Sequence, residues 1–80
     1  MNYILFTTTR CPKCPEFKKF LQENINADGR VLDEYSETFS DEISKYKVSN
    51  APTIILFDEN QNELYRTSEI SSLEDFLKTV

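Results

Sequence analysis

The sequence predicts an α/β domain of order β-α-β-α-β-β-α, with helices on both faces of a four-stranded mixed sheet. Three observations carry that reading. The runs Tyr3 to Phe6 and Thr53 to Phe57 are continuously apolar apart from their first residues, as strands buried on both faces are. Apolar residues elsewhere recur at three- and four-residue intervals, the spacing of one helix face. The first strand, helix and strand fit within about thirty residues, the size of a βαβ unit with parallel strands and a right-handed crossover. Helices on both faces are an economical cover for two apolar strands.

Residues 2–7 read as the first strand, and Thr7 to Arg10 as a turn. Residues 12–25 read as a helix whose face is Cys14, Phe17, Phe20, Leu21 and Ile25. Pro12 suits its first position, where no backbone N–H is needed, and Pro15 still lies within the first turn. Asn26-Ala27-Asp28-Gly29 should end this helix, with Gly29 free to take positive φ. Residues 30–35 read as a short, charged strand near a sheet edge.

Residues 36–47 carry a second helix with Phe39, Ile43 and Tyr46 on its apolar stripe. Thr38 or Ser40 can cap it, and Asp41 and Glu42 suit the positive end of its dipole. Ala51 precedes Pro52, which biases it towards an extended conformation. Residues 53–58 form the next strand, 58–62 a polar turn, and 63–67 its hairpin partner. Residues 68–80 close the chain as a helix burying Leu73, Phe76, Leu77 and Val80, with Ser71 or Ser72 as its cap.

Eighty residues suit a single domain, 1–80. A chain of this size buries roughly 60% of its unfolded surface, so its core is small. Six Phe and four Tyr enlarge that core. The formal net charge of -5 argues against nucleic acid and against an anionic membrane surface, both of which attract Lys and Arg. No apolar run approaches a membrane span. The N-terminal apolar run lacks a basic flank and is too short for a signal peptide, so a cytoplasmic protein is expected.

The stretch Thr7 to Pro15 carries the chemistry. It holds both cysteines, Cys11 and Cys14, and two of the three prolines, at a strand-to-helix junction. In a reducing compartment a lone pair of this spacing is more often catalytic or metal-binding than structural. A bridge between them would close too short a loop to stabilise much by chain entropy. The metal reading has half a zinc or iron–sulfur knuckle, but the chain has no His and no third Cys. Only a dimer could complete four thiolate ligands.

Three features together resemble the thioredoxin/glutaredoxin family over nearly the whole chain. They are Cys11-Pro12-Lys13-Cys14, the run Tyr46 to Thr53 ending in Ala51-Pro52-Thr53, and the following Ile-Ile-Leu-Phe strand. Its length is similar to the glutaredoxin-sized branch; its Ala-Pro-Thr strand is similar to thioredoxin. It departs from thioredoxin at Arg10 (Trp there), at Pro12-Lys13 (Gly-Pro there) and in lacking an acid between Met1 and Arg10. It departs from glutathione-using glutaredoxins at Thr8 and at Thr67 to Ile70.

The resemblance implies a thioredoxin-like sheet of order 2-1-3-4 and a cis Ala51-Pro52 bond beside Cys11. The residue-level alternative for Pro52 is an ordinary trans proline opening an edge strand. It implies a small thiol–disulfide oxidoreductase: a monomeric dithiol electron carrier with no bound cofactor. Its electrons would come from NADPH through a thioredoxin-reductase-like flavoprotein, with glutathione as the alternative. Its clients would be disulfide-containing proteins such as ribonucleotide reductase. The rival class is a redox-inert or metal-binding adaptor on the same fold.

Within that chemistry Cys11 is the expected nucleophile. A helix start and the cations Arg10 and Lys13 all favour its thiolate, lowering the pKa from ~8.5 into roughly 3.5–7.5. Cys14, one turn deeper on the apolar face, is the expected resolving thiol. Pro52 has no N–H to offer the thiolate, and a cis bond there would expose the Ala51 backbone for β-type pairing with a client chain. Arg10, Pro12, Lys13, Ala51 and Thr53 complete the expected substrate-binding set, with no metal ligand. Lys13 could steer an acidic partner, or be only a solvated charge. Tyr3, Tyr35, Tyr46 and Tyr65 read as packing residues. The acidic stretch Asp33 to Glu42 reads as a solvated face that could dock a basic reductase.

Overall fold

A computed structural model describes residues 1–25 and 28–79. The elements run β1 (Asn2–Phe6), α1 (Cys14–Asn24), β2 (Asp28–Leu32), α2 (Phe39–Tyr46), β3 (Thr53–Phe57), β4 (Glu63–Thr67) and α3 (Ile70–Leu77). The order is β-α-β-α-β-β-α, and the four strands form one mixed sheet of order β2-β1-β3-β4. This is the thioredoxin-like α/β architecture with sheet order 2-1-3-4. β1 is parallel to β2 and antiparallel to β3, and β3 is antiparallel to β4.

The sheet divides the core in two. Leu5, Ile54 and Leu56 point to one face, where Phe17 and Leu21 of α1 and Leu73 of α3 cover them. Ile4, Phe6, Ile55 and Phe57 point to the other, where Phe39, Ile43 and Tyr46 of α2 pack. The alternation follows from the period-two geometry of a strand. Every residue of β3 is buried, which is why that segment is apolar without a break after Thr53. Aromatic pairs fasten the helices: Tyr46 lies 5.5 Å from Phe57, and Tyr65 stacks on Phe76 at 4.5 Å.

Several boundaries differ from the sequence expectation. α1 begins at Cys14, so Pro12 lies in the preceding turn and is not its first residue; Lys13 is the cap, and Pro15 occupies an early position that needs no N–H. The Cys11 N–H bonds the Thr8 carbonyl at 3.3 Å, and this tight turn delays the helix. Gly29 does not end α1. It lies inside β2, opposite Tyr3, and has no positive φ. The reason for glycine is space: a Cβ there would sit 2.2 Å from the Tyr3 ring. The expected stop residues Asn26 and Ala27 lie outside the described residues.

β2 correspondingly ends at Leu32, and Asp33 to Ser36 form a turn rather than strand. Asp33 accepts the Tyr35 N–H at 2.9 Å on its carboxylate and the Ser36 N–H at 3.0 Å on its carbonyl. α2 starts three residues later than expected. Thr38 is its cap residue, but its hydroxyl donates to the Glu42 carboxylate at 2.9 Å instead of bonding a backbone N–H. α3 is capped by Glu69, not by Ser71 or Ser72, which lie inside its first turn. Ile70 packs against the α1 side of the core, and that burial draws the helix start forward. Val80, expected on the buried face, lies outside the described residues.

Candidate active site

β1 and β3 run antiparallel with Phe6 opposite Thr53, so the end of one strand meets the start of the other. The turn after β1 carries Cys11, and the residues before β3 are Ala51 and Pro52. The topology therefore delivers both motifs to one end of the sheet, although forty residues separate Cys11 from Ala51.

Cys11 and Cys14 are joined as a disulfide, with Cα atoms 5.4 Å apart. Their environments differ. Cys14, the first residue of α1, is 4% exposed beside the Phe17 face, whereas Cys11 is only partly covered. Pro12 and Lys13 between them are exposed, as is Arg10. Lys13 lines a shallow cavity with Glu16, Glu69, Ile70 and Ser71, which brings the start of α3 next to the cysteine turn.

The Ala51–Pro52 peptide is cis. Pro52 is buried and Ala51 half-buried. A polar cluster underlies this bend. The Thr53 hydroxyl donates to the Asn50 carbonyl at 2.6 Å and lies 3.2 Å from the Ser68 Oγ. Ser68 in turn reaches the Asn50 side chain at 3.4 Å. Thr53 is 5% exposed, so its hydroxyl serves the loop and the β4–α3 junction, while its backbone opens β3. Next to the bend lies an apolar groove of about 180 Å³, lined by Phe6, Thr8, Phe39, Ile43, Val48 and Ala51 among others.

Two threonines tie the cysteine turn to the end of β2 and the turn after it. The Thr7 N–H bonds the Leu32 carbonyl at 2.8 Å, and the Thr9 N–H bonds the Glu34 carboxylate at 3.0 Å. The Thr9 hydroxyl bonds the same carboxylate. These bonds hold the Glu34 carboxyl below the usual carboxylate range against an opposing cost of desolvation, and the charge of Arg10 adds a lesser pull in the same direction. Sequence reasoning did not single out Glu34, Thr9, Asn50 or Ser68. Glu34 falls in the stretch 30–35 that reads as a strand; the turn formers Asp33 and Ser36 on either side of the Glu34-Tyr35 pair are the signal that marks the turn.

Among the described residues no group of three or more His, Cys, Asp or Glu side chains could hold a metal ion. Among them, too, no helix is long and apolar enough to cross a membrane.

Comparison with known proteins agrees with this geometry. A family model described as thioredoxin domain matches residues 1–63. An uncharacterized protein of Treponema pallidum is 27% identical over 66 residues, spanning 82% of this chain and 73% of that protein. Among solved structures, a reduced thioredoxin pre-protein of Schistosoma mansoni superposes with a TM-score of 0.75 at 25% identity, over 98% of this chain and 76% of that one. Thioredoxin 1 of Thermosipho africanus gives 0.72 at 20% identity, over 99% and 89%. Oxidized thioredoxin O2 of Arabidopsis thaliana gives 0.77 at 16%, over 99% and 73%. The last two show likeness of fold alone. The superpositions extend the match through β4 and α3, and the Cys-x-x-Cys disulfide at the head of α1 supports thiol–disulfide oxidoreductase chemistry in general. The chain belongs to the thioredoxin domain family.

Proposed function

We propose that this protein is a small dithiol carrier that reduces protein disulfides through Cys11 and Cys14. The observation that carries the reading is the unequal burial of the two sulfurs in one Cys-x-x-Cys disulfide: Cys11 is accessible, and Cys14 is 4% exposed. In the reduced protein the Cys11 thiolate attacks one sulfur of a client disulfide. A Cys11–client bond forms, and the departing client thiolate takes up a proton. Cys14 then gives up its proton and attacks the Cys11 sulfur, restoring the Cys11–Cys14 bond and releasing the second client thiol. Two electrons pass to the client for each turn, together with one proton from Cys14 and one from solvent.

The surroundings support these roles. Cys11 lies ahead of α1 with Arg10 and Lys13 in the same turn, and positive charge favours a thiolate. The half-buried Ala51 at the cis bend offers backbone to a client strand, with Pro12 and Thr53 flanking the same approach. The apolar groove between Thr8, Ala51 and α2 suits a nonpolar client side chain beside its cysteine. The cycle needs no bound cofactor or metal, and one chain carries both thiols. The oxidised form would be reset by an NADPH-linked flavoprotein resembling thioredoxin reductase, in a reducing compartment such as the cytosol. Ribonucleotide reductase is one client of the right chemistry.

The test is reduction of insulin disulfides, driven either by NADPH with a thioredoxin reductase or by glutathione with its reductase. The first arm should support turnover and the second should be slower. Cys11→Ser should abolish activity. Cys14→Ser should accumulate a mixed disulfide with the client, visible by mass. Full turnover without Cys14 would overturn its assignment as the resolving thiol. Turnover with glutathione alone would transfer the chain to the glutaredoxin alternative.

A further inference from the structure

We infer that Glu34 is a positioning residue for Cys11, acting from the turn after β2 through its bonds to Thr9. The inference rests on the disulfide chemistry proposed above.

The β1–α1 turn has few anchors of its own. Its cysteine follows three threonines and an arginine; Thr7 is buried, but Thr9 and Arg10 are exposed and gain little from packing. Besides the Thr8 carbonyl on the Cys11 N–H, what holds it is β2 and the turn that follows. The Thr7 N–H and hydroxyl both reach the Leu32 carbonyl, at 2.8 and 3.4 Å. Two residues on, the Thr9 N–H and hydroxyl both reach the Glu34 carboxylate. Only Arg10 then separates the clamped residue from Cys11. The turn bearing Glu34 is itself braced: the Asp33 N–H bonds the Ser36 hydroxyl at 3.2 Å, and the Asp33 carboxylate accepts the Tyr35 N–H. A charged acceptor on a braced turn is a firmer anchor than a neutral one.

The same carboxylate has an electrostatic consequence. The charged groups around the cysteine turn are Arg10 and Lys13 within it, Glu16 on α1, Glu69 at the cap of α3, and Asp33 and Glu34 on the turn after β2. Arg10 favours a Cys11 thiolate, and the Glu34 carboxylate is bonded to Thr9, the residue next to Arg10 in the chain. Glu34 therefore offsets part of that cation's effect. It holds Cys11 in place and at the same time restrains how readily its thiol ionises.

Glu34→Gln keeps the shape and an acceptor oxygen but removes the charge. Thr9→Ala keeps the charge and the backbone bond but removes the hydroxyl. Each is made in the full chain, and again in a Cys14→Ser background where Cys11 is the lone thiol. In that background the iodoacetamide alkylation rate is followed against pH. Glu34→Gln should move the midpoint down by about 0.2–0.7 pH unit, the scale of one exposed charge. Thr9→Ala should leave the midpoint in place and, with both cysteines present, lower kcat/KM for insulin reduction by about two- to tenfold. Glu34→Asp should retain the parent midpoint. If Glu34→Gln lowers Tm but leaves the midpoint where it was, Glu34 is only structural and the inference is overturned. Unchanged midpoint and unchanged kcat/KM in both variants overturn it as well. A parent protein that alkylates normally yet fails to reduce insulin overturns the proposed function instead, since alkylation reads Cys11 without a client.

Discussion

Gly29 is the only glycine in the chain, and its reason for being glycine lies in a neighbouring strand. Helix termination would have asked for positive φ; the structure asks for room beneath the Tyr3 ring, whose atoms lie 2.2 Å from where a Cβ would be. Gly29→Ala should therefore destabilise the domain by about 1–2 kcal/mol, because the half-buried ring must shift aside. With Tyr3→Ala in the same chain, that cost should vanish. There the substitution should become neutral or stabilise by about 0.5–1 kcal/mol, since glycine is a poor strand residue once nothing requires it. Urea unfolding of the four variants checks this, and strictly additive effects would contradict it. The cysteines were legible for the opposite reason. Their spacing is local, so Cys11-Pro12-Lys13-Cys14 stands out in the bare sequence. Glu34 was not, because its partner Thr9 is twenty-five residues away.

At the scale of elements, the strands were readable to within a few residues and the helix ends were not. β3 and β4 are specified by apolar runs and a polar turn, which are properties of neighbouring residues. Helix starts depended on bonds from outside: Thr8 holds Cys11, Asp33 and Ser36 hold the turn before α2, and Thr67 accepts the Glu69 N–H at 3.1 Å before α3. The end of α2 carries a device that the sequence did not announce. Lys47 adopts the left-handed conformation, with φ 57°, ψ 44° and its N–H on the Ile43 carbonyl. Glycine is the residue usually found at such a position. Lys47→Gly should stabilise the protein by about 0.5–1 kcal/mol, a rise of roughly 3–6 °C in Tm for a domain of this size. Lys45→Gly, inside the same helix, should do the reverse by about 1 kcal/mol. A fall in Tm for Lys47→Gly would mean that the lysine side chain contributes more than the backbone conformation costs.

For the whole molecule, the distribution of carboxylates determines how stability responds to acid. Glu34 is held low by Thr9, Asp58 by the Asn62 and Asn60 N–H groups, and Glu63 by Arg66 at 2.6 Å. Burial alone would raise Glu42, but hydrogen bonds from Arg30 and Thr38 outweigh it. A carboxyl depressed in the folded state stabilises it above the unfolded pKa and loses that contribution as pH falls through the folded value. The unfolded values are 4.5 for Glu and 3.8 for Asp. Tm of the oxidised protein should therefore be level between about pH 6 and 8, where a chain without histidine has no side chain to titrate, and should fall progressively below about pH 4.5. Thermal melts across pH check this. A stability maximum below pH 4 would show that relief of the -5 net charge outweighs these local bonds.

The sequence by itself determined the fold class, the order of elements and the two motifs, Cys11–Cys14 and Ala51–Pro52–Thr53. Each is written in short-range patterns: periodicity, turn chemistry and cysteine spacing. The tertiary structure alone decided which groups meet. Antiparallel pairing of β1 with β3 brings residues 10–14 and 51–53 to one end of the sheet. The parallel pairing of β1 with β2 sets Glu34 under Thr9, and the crossing of Tyr3 over β2 makes Gly29 necessary. These are contacts between residues far apart in the chain, formed when burial of two apolar strands fixes the sheet, and no local pattern encodes them.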